Sequence, residues 1–143
     1  MPRRLGYPTA FVLAQLFTGA PPASAADPSG TWLTQQEDAR IQIAPCGQRI
    51  CGTVVWLKQP IDPATGKPHI DDKNPDPGKQ SRRIIGLRIF SMAPTEADIW
   101  AGNIYNSDDG QTYAATIRLP GLNRLEVQGC AGPFCGSEIW SRR

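Results

Sequence analysis

Histidine is almost absent from the chain: His69 is the single imidazole in 143 residues. It stands between Pro68 and Ile70 in a polar stretch, where a solvated side chain is the plain reading, so a histidine-centred metal or nucleophile site has nothing to build on. No serine lies in a G-x-S-x-G context and no cysteine pair has C-x-x-C spacing, which removes the hydrolase elbow and the thioredoxin-like redox motif. Helical periodicity is missing too, since no stretch repeats apolar residues at three- and four-residue intervals. Long apolar runs are equally scarce. The one near the start, Tyr7 to Phe17, is too short to cross a bilayer as a stable helix, and no stable membrane insertion is expected. Nor is there an excess of charge of one sign. The formal net charge is +2, and Arg3 and Arg4 lie in the first four residues. Without that segment the domain is close to neutral and has no basic patch to neutralise phosphates, so nucleic acid is not an expected partner. No catalytic residue and no cofactor is assigned.

What is present begins with Met-Pro-Arg-Arg, a short apolar core and Ala23-Ser24-Ala25. A basic start, an apolar core and an A-x-A ending are the marks of a secretory signal peptide, expected over residues 1–25. No lipobox-like cysteine follows. The expected product is a periplasmic or secreted domain over residues 26–143, long enough for one modest core. All four cysteines fall in it, as Cys46-x4-Cys51 and Cys130-x4-Cys135. An oxidising compartment makes disulfides the default, and three connectivities exist on paper. Local pairing is favoured because residues flanking a hairpin loop face each other across the strands. Each short loop then stabilises by roughly 2 kcal/mol. Zinc is disfavoured by the four-residue spacing.

Gly30 to Leu33 reads as a first strand. Arg40-Ile41-Gln42-Ile43 alternates with period two, and Thr53 to Leu57 is rich in β-branched and aromatic residues. After a break come Leu87 to Phe90, Ile99 to Tyr105, Tyr113 to Leu119, Leu125 to Gln128 and Ser137 to Arg142, with Asp109-Gly110 as a strong hairpin signal. The expected fold is all-β: an eight-stranded antiparallel up-and-down barrel, which removes exposed edges, with a two-layer sandwich as the competing architecture. The break, from Gln59 to about Arg83, holds Pro60, Pro63, Pro68, Pro75 and Pro77. That density of missing donors suits neither helix nor ladder, so one long Pro-rich loop is expected between strands 3 and 4. A loop of this length without its own structure is usually functional or disordered, and function is placed there.

Two constellations carry resemblances. Gly30-x-Trp32 on the first strand and Trp140-x-Arg142 on the last become neighbours in a closed barrel, where the arginine can lie over an indole and seal the floor. This resembles the lipocalins and their calycin relatives, and its meaning is structural. Cys51-Gly52, Val55-Trp56-Leu57, Asp71-x-x-Asn74-Pro75-Asp76-Pro77, Arg82, Gly86-Leu87, Trp100-x-Gly102-x-Ile104-Tyr105, Asp109-Gly110-x-Thr112-Tyr113 and Trp140-x-Arg142 together resemble the bacterial family called domain of unknown function 2147. The resemblance covers nearly all of the mature chain. It implies an exported, lipocalin-like barrel and brings no reaction with it. The chain departs from the family pattern at Lys79, Gln80 and Arg83, where leucine, arginine and proline are usual, and at Ser107, where proline is common.

Asp71, Asn74 and Arg82 are the polar candidates of the loop. One reading has Asp71 and Asn74 capping the loop's own backbone and Arg82 paired with a carboxylate. The other has the loop closing over the barrel mouth and offering a guanidinium and an amide to a ligand. Trp100, Tyr105 and Tyr113 are the aromatic candidates; Gly102 shares a strand face with Trp100 and Ile104, and Ala115 shares one with Tyr113, leaving room for an apolar cavity. A calcium loop starting at Asp72 fails, because glycine falls at the seventh position and Arg83 at the twelfth; no metal is assigned. Three functions compete: binding of a small hydrophobic or amphipathic molecule, a filled barrel serving as an interaction module, and a hydrolase of envelope material using Asp71 or Asp76 as base. The oligomeric state is left open.

Overall fold

Alternation of inward apolar and outward polar residues sets the strands, and the computed structural model, which describes residues 16–19 and 26–143, carries ten of them. The expected leader, residues 1–25, lies largely outside the described residues. The strands are β1 (Gly30–Leu33), β2 (Ala39–Cys46), β3 (Arg49–Leu57), β4 (Ile61–Asp62), β5 (Lys67–Pro68), β6 (Arg88–Glu96), β7 (Ile99–Asn106), β8 (Gln111–Gly121), β9 (Arg124–Ala131) and β10 (Phe134–Arg142). Eight close into one antiparallel barrel in the order β1-β10-β9-β8-β7-β6-β3-β2. The sandwich is therefore ruled out, and the first and last strands meet at Trp32↔Arg142 and Leu33↔Ser141. Among the described residues no helix is long and apolar enough to cross a membrane.

The inner faces of these strands meet in a packed lower layer. Trp32, Ile43, Met92, Ile117 and Leu125 are fully buried there, and burial of side chains this large contributes about 1.5–3 kcal/mol each. The floor is sealed as the sequence implies. The Arg142 guanidinium lies 4.3 Å from the centroid of a Trp32 ring and donates to the carbonyls of Leu122, Ser29 and Asp27. Gly30 is required beneath it: a Cβ at that position would stand 2.7 Å from Arg142 Nη1, and its φ of +133° belongs to glycine.

Both disulfides are local, and their geometry differs from the expectation in one case. Cys130 and Cys135 are direct register partners with Cα atoms 4.1 Å apart. Cys46 faces Arg49 instead, and Cys51 faces Ala44, so the first disulfide runs diagonally across the ladder with Cα atoms 5.8 Å apart. The reason is the turn. Gly47, at φ +67°, makes the reversal with Gln48 alone, one residue off the midpoint between the two cysteines. Two disulfides in a small domain point to an oxidising, extracytoplasmic compartment.

The long connection between β3 and β6 also departs from the sequence reading, because it is not structureless. β4 and β5 form a miniature hairpin, Ile70 bridges Arg83, and Pro77–Lys79 is a turn of 3-10 helix. The prolines cluster where no ladder donor is needed, and Asp76 Oδ1 accepts from the Gly78 N–H to cap the short helix. The connection continues the barrel wall where β3 and β6 part. Val54 N–H donates to Leu87 O and Gly86 N–H donates to Val54 O, beyond the last register pair Thr53↔Arg88.

Candidate functional site

The upper half of the barrel is hollow. A cavity of about 590 Å³ opens toward the end that carries the β1–β2 turn, the β7–β8 turn and the long connection. Its wall is aliphatic and aromatic, with Ile41, Val54, Ile104, Val127 and Trp140 among its residues. Its rim is polar and includes Thr34, Gln36, Asp38, Asn106, Asp108 and Ser137.

The space comes from residues that sequence reasoning passes over. Gly129 and Gly136 are register partners on β9 and β10, and both line the cavity. A Cβ on Gly136 would meet nothing within 4 Å, and one on Gly129 would touch only Tyr113 Cβ, at 3.7 Å. The glycine singled out from the sequence leaves no such room. A Cβ on Gly102 would stand 2.7 Å from Ser91 O and 3.1 Å from Met92 Cγ, so its missing side chain is already replaced by neighbours. Period two along the last strand was the available signal, since it sets Gly136, Glu138 and Trp140 on one face.

The six candidates divide between cavity and loop. Tyr105 and Tyr113 line the cavity, Tyr113 near the rim with its hydroxyl donating to the Asp109 carboxylate. Trp100 is buried on β7 opposite Ile117, within the core, and is not part of the cavity lining. Asp71, Asn74 and Arg82 come together, but beside the cavity rather than in its wall. Asp71 is fully buried, and its carboxylate accepts from Tyr105 Oη at 2.5 Å, Asn74 Nδ2 at 2.8 Å and Arg82 Nη2 at 2.9 Å. Asn74 in turn accepts at Oδ1 from the Asp76 N–H and at its carbonyl from Gln80 Nε2. The backbone capping of the loop is thus done by Asn74 and Asp76, while Asp71 gathers donors from three directions.

Burial pushes the Asp71 carboxyl up, but the bonds from Tyr105, Arg82 and Asn74, with the Arg82 charge, outweigh it and hold the group below the usual carboxylate range. The same contact works in reverse on Tyr105, whose phenol is raised to about 12 by burial and by the adjacent carboxylate. Tyr105 therefore joins both parts of the site: its ring lines the cavity and its hydroxyl ties the long connection to β7. Lys73 adds a second tie, its ammonium donating to Asp108 O at 2.7 Å. Gly110 makes the close approach possible, since a Cβ there would fall 1.9 Å from Lys73 O.

Residues 30–142 match the family described as uncharacterized protein conserved in bacteria, DUF2147. The chain belongs to that family. No curated protein matches the sequence. Among solved structures, protein HP1028 from Helicobacter pylori, described as belonging to the lipocalin family, is similar at a TM-score of 0.68. It shares 18% identity, and the likeness covers 80% of this chain and 82% of that one. The likeness shows the fold, a lipocalin-like barrel, which this DUF2147 chain builds with its cavity above the Trp32–Arg142 floor.

Proposed function

We propose that this DUF2147 protein is exported and that its barrel holds a small amphipathic molecule, with the apolar part between β3, β7 and β9 and the polar part at the rim. The observation that carries this reading is the hollow above a packed floor. A barrel meant only as a scaffold fills its interior with side chains, whereas here two facing glycines keep the upper half vacant. The volume falls within the range of small-molecule sites. Export is supported by the disulfides and by the basic, apolar, A-x-A sequence of the N-terminus. Tyr105 and Tyr113 serve as wall contacts, and Asp71, Asn74 and Arg82 act one step back by fixing Tyr105 and the long connection. The hydrolase reading is weaker, because Asp71 is saturated with donors and held at low basicity, the opposite of a tuned general base.

The test is native mass spectrometry of the protein after incubation with an extract of envelope lipids and metabolites, run beside Gly136→Leu. The expected result is a bound species on the unmodified protein that is lost from the variant, whose leucine occupies the vacant space without lowering the melting temperature. If the unmodified protein carries nothing, and no extract fraction raises its melting temperature, the reading fails.

A further inference from the structure

The cavity's charge is one-sided. Asp38, Asp108 and Glu138 line it, and among the described residues no lysine or arginine does. Three cations of the surrounding segments are committed elsewhere: Lys73 to the carbonyl of Asp108, Arg82 to Asp71, and Arg143 at 3.6 Å to Glu37, which is not a lining residue.

Glu138 is the informative member. On β10 it alternates with Gly136 and Trp140, and its register partner Val127 lies on the same inner wall. Glu138 is exposed at the mouth, so its carboxylate keeps its charge at the entrance to the cavity. One carboxylate oxygen accepts from Trp140 Nε1 at 2.9 Å, which holds the group beside the indole of a cavity-lining residue. The other has no donor, and the group has no ion-pair partner, among the described residues. Asp38 and Asp108 stand on the β1–β2 and β7–β8 turns, on other sides of the same opening.

Resting on the cavity reading above, we propose that the barrel selects a cationic amphiphile: an apolar body between Ile41, Val54 and Val127, with an ammonium or similar head held by Glu138. The site is the cavity itself, and the carboxylates decide the charge of what enters it. A fatty-acid-like anion would bring its carboxylate against three others at no gain from any lining cation.

The probes are dodecylammonium, dodecanol and dodecanoate, equal in chain and different in head charge, titrated below their micellar concentrations into the full chain and followed by tryptophan fluorescence and calorimetry. Dodecylammonium is expected to bind about tenfold tighter than dodecanol, the scale of one partly solvated charge pair, with dodecanoate weakest. Glu138→Gln is expected to remove most of that preference, and Gly136→Leu to abolish binding of all three, which separates the cavity from the acidic surface. The series on the unmodified protein carries the charge comparison by itself; the variant assigns it to Glu138. Equal binding of the three probes, or dodecanoate binding tightest, overturns the cationic selection and leaves the container reading standing. A preference that persists in Glu138→Gln overturns the assignment to Glu138. Failure of all three to bind overturns the container reading and this inference together.

Discussion

At the scale of single residues the decisive group is Asp71, a fully buried charge whose cost is offset by three donors. Its partners are not equivalent. Arg82 is about two-fifths exposed and can return to water if its partner goes, whereas Asp71 cannot. Removing the arginine therefore strands a buried carboxylate, and Arg82→Met is expected to cost about 1–3 kcal/mol at neutral pH. The pH dependence has a fixed sign. Because the folded carboxyl sits below its ordinary value of 3.8, its contribution is complete above that value and is lost as pH falls through the folded one. Once protonated, Asp71 needs no cation. The gap between wild type and Arg82→Met, measured as the shift in urea midpoint, should accordingly narrow in acid; a gap that stays constant down to about pH 3 would show that the arginine acts through packing alone.

At the scale of elements the long connection behaves as part of the wall rather than as a free loop. Its contact with the β7–β8 turn depends on one absent side chain. Gly110→Ala places a methyl into Lys73 O and forces a left-handed φ of +71° on alanine, so it should lower stability by about 1–3 kcal/mol and loosen the connection, visible as faster proteolysis between β5 and β6. An unchanged digestion rate would refute the docking. This connection marks the limit of what the sequence discloses. The strands around Ile41, Val54 and Ile117 were legible because period two reports which face is buried. Asp71 and Tyr105 were both legible as candidates, yet their bond was not: they are 34 residues apart, and periodicity assigns faces without assigning neighbours. The prolines did not disclose the short β4–β5 ladder, in which Pro68 itself faces Ile61, and the side-chain caps of Asn74 and Asp76 supply an order that pattern alone does not display. Gly129 and Gly136 became meaningful only once register set them opposite each other.

At the scale of the whole molecule the barrel is closed unevenly. β1 is four residues long and meets β10 at two register pairs, so among the described residues Phe134 to Glu138 have no strand on their outer side. Above Ser141, the Ile139 N–H donates to the side chain of Gln35 in place of a strand carbonyl. The amides of Ser137 and Cys135, pointing the same way by alternation, have no such substitute among the described residues. They should exchange with solvent at least about 1,000-fold faster than those of Ile117 and Val127, whose strands are paired on both sides. Strong protection at Ser137 would mean that the seam is sealed in solution. The lower end of the same seam has a different consequence. β1 starts and β10 finishes at the floor, so a force applied through the two ends of the domain would unzip their pairing from the bottom, one bond at a time, instead of shearing it. With so few bonds in that line, the Arg142 guanidinium, fastened to three carbonyls and an indole, is the rivet that decides whether the molecule tears.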